Sequence, residues 1–126
     1  MGVTYDTGAL VAAERNDRAL WALHLGYLAL EEVPTVPAPV LAEAWRGGAR
    51  QASLARLLAG CAVEAMDEAR ARVVGTLAGR SDHDDVVDVA VVEGALRRGD
   101  VVVTSNRSHV ELVAQATRRR IRIEDV

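Results

Sequence analysis

Val101-Val102-Val103-Thr104 narrows the folds open to this chain more than any other segment. Four β-branched residues in a row favour a strand. They show no polar-apolar alternation, so both faces of that strand must be covered. Such strands belong to parallel sheets with helices above and below, and the rest of the chain supplies that alternation. Further short strands are predicted at Val3 to Asp6, within Val33 to Pro37, at Cys61 to Met66 and at Ile121 to Ile123. Helices are predicted at Gly8 to Arg15 with Thr7 as a candidate N-cap, at Arg18 to Glu32, at Pro39 to Trp45, and at Gln51 to Leu58. Asp67 caps a further helix running to about Ala78, and Gly79 to Asp82 reads as a loop. Helices from Asp84 to Arg98 and from Ser108 to Arg119 complete the pattern. The expected fold class is α/β, with one domain spanning residues 1–126.

Half of the residues are hydrophobic and only 3% are aromatic, with no Phe, so the core must be built from Ala, Val and Leu. No apolar run approaches the roughly 18 residues of a membrane span. The richest stretch, Ala19 to Leu30, holds His24 and Gly26 and reads as a buried helix. No basic, apolar and cleavage-site pattern opens the chain. A single Cys61 cannot form an internal disulfide, and its apolar setting argues for packing. These features lead us to expect a cytoplasmic protein. All 15 basic residues are Arg, which excludes mechanisms that need a lysine. The net charge of -3 gives no global attraction to nucleic acid, so any such contact must use local arginine patches.

Three carboxylates stand at the borders of apolar runs. In an α/β chain, ligands gather outside the carboxyl ends of parallel strands, where residues distant in sequence converge. Asp6 comes straight off the first strand and serves either as a site acid or as a helix cap. Glu43 lies on a face otherwise made of Ala and Leu, as a site acid or as a partner of Arg46 or Arg50. Asp88 interrupts an apolar helix and should be half-buried on its inner face. Asp85 lies one turn earlier on that face, though Asp84 and Asp85 also suit cap and dipole roles. Thr104, Asn106 and His109 follow the strong strand; they can orient acids and metal-bound waters, or cap and decorate the next helix. His24 and His83 have no ligand-like spacing, and no Cys/His zinc pattern is present. A carboxylate cluster without cations repels itself, and a hard divalent ion relieves it.

Asp6-Thr7-Gly8-Ala9-Leu10 resembles the opening motif of PIN-domain ribonucleases. Leu41-Ala42-Glu43-Ala44-Trp45-Arg46-Gly47-Gly48 resembles their glutamate helix. Val86-Val87-Asp88-Val89-Ala90 resembles the start of their next core helix, and Val101 to Asn106 their following strand with its Thr-x-Asn end. The order and spacing are similar to those of the VapC-type toxins of toxin–antitoxin pairs, over nearly the whole chain. The resemblance implies a three-layer α/β/α fold with a central parallel sheet and Mg²⁺- or Mn²⁺-dependent cleavage of RNA. It implies a cognate VapB-like antitoxin and a homodimer as well. By the same resemblance Asp6, Glu43 and Asp88 are the catalytic acids, with the metal on Asp6 and Asp88. Thr104 and Asn106 support them. Arg46 and Arg50 follow Glu43 by three and seven residues, so they either line the groove and take RNA phosphate or form a solvated helix face. The family often carries a fourth acid where Asn106 or His109 stands here, and a commonly aromatic position holds Val110; Asp85 is a candidate substitute for the missing acid.

Two rivals accompany this reading. One is a nuclease-inactive PIN-fold module that binds RNA or protein. The other is a phosphoryl-transfer domain, a receiver or a haloacid-dehalogenase-like phosphatase. Both of those rely on a lysine, and the phosphatase wants an acid where Gly8 stands.

Overall fold

The computed structural model describes residues 2–126. Five strands form one sheet in the order β3-β2-β1-β4-β5, and every pairing is parallel. They are β1 (Val3–Tyr5), β2 (Thr35–Pro37), β3 (Ala62–Glu64), β4 (Val101–Thr104) and β5 (Arg122–Asp125). β1 and β4 lie side by side at the centre, with Thr4 opposite Val102. Val3, Thr4, Tyr5, Val102, Val103 and Thr104 are all buried, as a two-sided cover requires. The edge strands β3 and β5 are largely exposed. The chain order reverses between β1 and β4, so a crevice opens there at the carboxyl ends of the strands.

Seven helices cover the sheet: α1 (Thr7–Glu14), α2 (Arg18–Ala29), α3 (Ala38–Ala44), α4 (Ala52–Ala59), α5 (Glu68–Ser81), α6 (Val86–Arg98) and α7 (Arg107–Ala116). Neighbouring residues of β1 point to opposite faces and meet different helices. On one face the Tyr5 hydroxyl bonds His24 Nδ1 of α2 at 2.8 Å. On the other, Thr4 Oγ1 accepts from Arg98 Nη2 of α6 at 2.9 Å. α6 lies against β1, β2 and β4 and carries α5 and α7, whereas α1 packs on β4 with α2 and α4 behind it. The result is the expected α/β/α arrangement. Valine is a poor helix former, but α6 is buried around most of its circumference, and that burial overrides the local preference.

Several boundaries differ from the sequence reading, each for a local reason. Asp6, not Thr7, caps α1: its Oδ1 accepts from Thr7 N at 2.7 Å, and Thr7 is the first helical residue. α2 stops at Ala29 because Glu31 takes a left-handed φ of 60° before the extended approach to Pro34. α5 absorbs Gly79 and runs to Ser81, where Asp82 at φ 51° ends it, so most of the expected loop is helical. α3 starts one residue earlier than predicted, at Ala38, and ends at Ala44 with Trp45 as its C-cap, and β5 is shifted toward Asp125. Cys61 is only partly buried. Its thiol donates to Leu57 O at 3.3 Å, and burial pushes its pKa up to about 12. No helix is long and apolar enough to cross a membrane.

Candidate functional site

The crevice at the β1–β4 reversal is a cavity of about 550 Å³. Asp6, Glu43, Asp85, Asp88, Asn106 and His109 all line it, so distant segments of the chain converge as the sequence reading expected. Asp6 enters from the end of β1, Glu43 from the last turn of α3, and Asp85 and Asp88 from the start of α6. Asn106 and His109 come from the start of α7. Thr104 sits beneath the cavity, fully buried, and reaches it through Asp6.

Asp6 is 4% exposed. Its Oδ1 is held by the Thr7 N–H, and its Oδ2 accepts from Thr104 Oγ1 at 2.7 Å. Thr104 Oγ1 in turn accepts from Asn106 N at 2.9 Å, so one hydroxyl ties the end of β4 to the acid and to the next turn. Burial raises the Asp6 pKa above the ordinary carboxylate range. The Thr104 and Thr7 hydrogen bonds pull it down, and the charges of Asp88 and Glu43 add to the rise. Among the described residues Asp6 has no ion-pair partner.

A second buried aspartate, Asp100, makes a useful contrast. It is 6% exposed and stands just before β4, at the opposite end of that strand. Its Oδ2 accepts from Thr4 Oγ1 at 2.7 Å and from Arg98 Nε at 2.9 Å. A buried carboxylate paired with a guanidinium is the usual structural solution. Asp6 lacks that pairing.

Glu43 is exposed, and its partner is neither Arg46 nor Arg50: Thr7 Oγ1 donates to its Oε1 at 2.6 Å. Arg46 Nη1 donates to the carbonyls of Ala42 and Trp45, closing the end of α3. Arg50 lies exposed on a 3-10 turn at Ala49–Gln51, and neither arginine is among the cavity-lining residues. The arginine on the cavity wall is Arg15, at the end of α1.

Asp85 caps α6, with its Oδ1 accepting from Val87 N and Asp88 N. Asp88 is buried, more fully than the half-burial expected, and its Oδ2 has His83 Nε2 at 2.9 Å and His109 Nδ1 at 3.1 Å. His109 Nδ1 also accepts from Asn106 Nδ2 at 2.8 Å. His83 is therefore part of the site, although its spacing in the sequence gives no sign of it.

Two further residues hold the site together. A Cβ on Gly8 would lie 2.8 Å from Ser105 N, so only glycine lets the first turn of α1 approach the end of β4 this closely. Gln51, buried, accepts from Arg46 N and Gly47 N and donates to Ala44 O and Glu14 Oε1. It thereby fastens the end of the glutamate helix to α1. Gly8 was legible in its motif; a buried glutamine inside an Arg-rich turn gave no signal.

No family model matches the chain, and no curated protein matches it. Solved structures do. A chain of VapBC2 from Rickettsia felis, bound to a DNA fragment from their promoter, superposes with a TM-score of 0.75 at 16% identity, over 100% of this chain and 99% of that one. A chain of FitAB bound to the IR36 DNA fragment superposes with a TM-score of 0.64 at 16% identity, over 98% and 94%. These likenesses bear out the expected PIN-like α/β/α fold.

Proposed function

We propose that this chain is a divalent-cation-dependent endoribonuclease, the toxin of a toxin–antitoxin pair. The observation that carries the reading is the cavity itself. Buried Asp6 has no cationic partner among the described residues, burial raises its pKa with Asp88 and Glu43 adding to the rise, and all three acids face one space at the sheet's reversal point. The oxygen donors of Asp6, Glu43, Asp85, Asp88 and Asn106 suit a hard cation such as Mg²⁺ or Mn²⁺. Asp6 and Asp88 would hold it. When bound, it would neutralise the carboxylates and polarise a phosphate oxygen.

The chain's own residues would do the rest. Thr104 fixes Asp6 Oδ2, and Thr7 fixes Glu43 Oε1, which leaves Oε2 to orient a water and take its proton. The water oxygen attacks phosphorus, the bond from phosphorus to the ribose oxygen breaks, and the released oxygen takes a proton from solvent. Arg15 on the cavity wall would take a phosphate of the substrate, and Arg46 and Arg50, outside the cavity lining, would meet the RNA only beyond it. The partner would be a small antitoxin whose arginine enters between Asp6 and Asp88, and the toxin would act as a cytoplasmic homodimer.

A second reading, a fold that binds RNA or protein without cutting, is favoured by one observation: two histidines already occupy Asp88 Oδ2. One experiment separates the two. RNA is incubated with the purified chain and Mg²⁺ or Mn²⁺, and cleavage should disappear with EDTA and in Asp88→Asn. RNA that stays intact with either ion, or cleavage that survives both changes, overturns the nuclease reading.

A further inference from the structure

We propose that His83, Asp88 and His109 form a second cation site, one that takes a nitrogen-preferring transition ion, with Zn²⁺ the best fit, rather than Mg²⁺. Each residue offers one ligand atom, and the three atoms lie within 4.8 Å of one another. Asp88 Oδ2 is 2.9 Å from His83 Nε2 and 3.1 Å from His109 Nδ1. Ligands about 2.1 Å from one ion stand roughly 3 to 3.4 Å apart. Asp88 Oδ2 is thus already near coordinating separation from each histidine, and the two ring nitrogens lie within 4.8 Å of each other. The two imidazoles meet edge to face at 5.3 Å and 70°, so they are not stacked on one another.

His109 Nδ1 also has Asn106 Nδ2 at 2.8 Å. The ring nitrogen offers one lone pair, so an entering cation would take it over from the Asn106 amide.

The donor set selects the ion. Two imidazoles and one carboxylate suit Zn²⁺ and its first-row neighbours, while Mg²⁺ and Ca²⁺ want oxygen. Three protein ligands leave a position open, and Asp88 and His109 both line the cavity, so that position can face it. The elements hold the ligands at a fixed spacing: Asp88 is in the first turn of α6, His109 in the first turn of α7, and His83 just ahead of α6, its N–H bonded to Ala78 O at 3.2 Å. The site shares Asp88 with the carboxylate centre proposed above, but it does not need the chain to cut RNA.

The test is metal binding by the full chain, stripped of ions and read without RNA. Zn²⁺ is titrated with a competing chromophoric chelator, and Co²⁺ serves as a spectroscopic probe. We expect one Zn²⁺ per chain. His83→Gln and His109→Gln should each weaken it roughly tenfold or more and change the visible spectrum of bound Co²⁺. Glu43→Gln, which removes only an oxygen donor outside the set, should shift Zn²⁺ affinity by less than about threefold. Far-UV circular dichroism and melting of each variant separate lost ligands from lost fold. A variant that does not fold is replaced by His83→Asn or His109→Asn. Zn²⁺ binding that is absent, or indifferent to both histidines, overturns the proposal and leaves Mg²⁺-dependent cleavage untouched. Histidine-dependent Zn²⁺ binding by a chain that never cleaves RNA would sink the nuclease reading and keep this one.

Discussion

Thr104→Val isolates the hydroxyl on which the site is hung. The substitution keeps the β-branched shape and nearly the volume, so β4 and its packing stay intact. It removes the 2.7 Å bond to Asp6 Oδ2 and the acceptor for Asn106 N at 2.9 Å. A hydrogen bond to a charged group is worth about 1.5–3 kcal/mol, and a buried N–H left without an acceptor costs about 1–3 kcal/mol. Water from the adjoining cavity can replace part of the loss, so the expected destabilisation is about 2–4 kcal/mol. For a chain of this length that is a fall in melting temperature of roughly 6–15 °C. The Thr104 bond also lowers the Asp6 pKa, so its removal lets that pKa rise further. The bond favours the charged carboxylate. Its contribution is therefore full at neutral pH, and it fades as pH falls through the Asp6 titration. The loss in Thr104→Val should shrink in acid without vanishing, because Asn106 N remains unsatisfied. Thr104→Ser, which keeps the hydroxyl, should lose far less. Urea unfolding at several pH values reads all of this. A valine variant within about 0.5 kcal/mol of the wild type, or a serine variant as damaged as the valine one, refutes the reasoning.

Asp6 and Gly8 support two more expectations. Burial raises the Asp6 pKa, so the folded state binds that proton more tightly than the unfolded one, and stability falls as pH rises from the ordinary carboxylate range through the raised value. Asp6→Asn should therefore be more stable than the wild type at neutral pH by about 0.5–2 kcal/mol, with the gap closing in acid; equal melting at neutral pH would count against an uncompensated charge. Gly8→Ala sets a methyl 2.8 Å from Ser105 N and should cost roughly 1–3 kcal/mol, whereas Gly26→Ala, on α2 with nothing within 4 Å, should gain up to about 1 kcal/mol. Similar melting temperatures for the two alanine variants would show that the α1–β4 approach is slack.

Much of this architecture was legible because its signals are local. The β4 run, the proline at the entry to β2 and the cap at Asp67 each act within a few residues. So the alternation of strands and helices, and hence the parallel sheet, could be read directly. Helix ends were harder. A left-handed residue such as Glu31 or Asp82 stops a helix through its backbone, and neither side chain announces it. Asp6, Glu43 and Asp88 could be read because each borders or interrupts an apolar stretch, whereas Asp17, also on the cavity wall, sits in a polar turn. Their partners could not. Thr7 finds Glu43 across 36 residues, and Gln51 finds Glu14 across 37. The arginines near Glu43 in sequence turned out to serve α3 or solvent, since sequence neighbours share a face only by chance of phase.

The distribution of arginine explains why buried Asp100 has a fixed counter-charge and buried Asp6 does not. Arg98 lies against Asp100 and Glu64, Arg97 against Glu64 and Glu93, Arg70 against Glu93, and Arg107 against Asp125 and Glu111. None of these arginines lines the cavity. Arg98 holds the Asp100 end of β4, where a buried acid needs a fixed counter-charge. At the carboxyl end, Asp6, Glu43 and Asp88 share a cavity whose lining holds a single arginine, Arg15. A fixed arginine on Asp6 would lower its pKa and stabilise the fold, yet the sequence places none there. Leaving the acids without a fixed counter-charge costs stability, and the cation proposed above would remove that cost. On that reading, the same distribution would favour positive charge at the point where the chain order reverses.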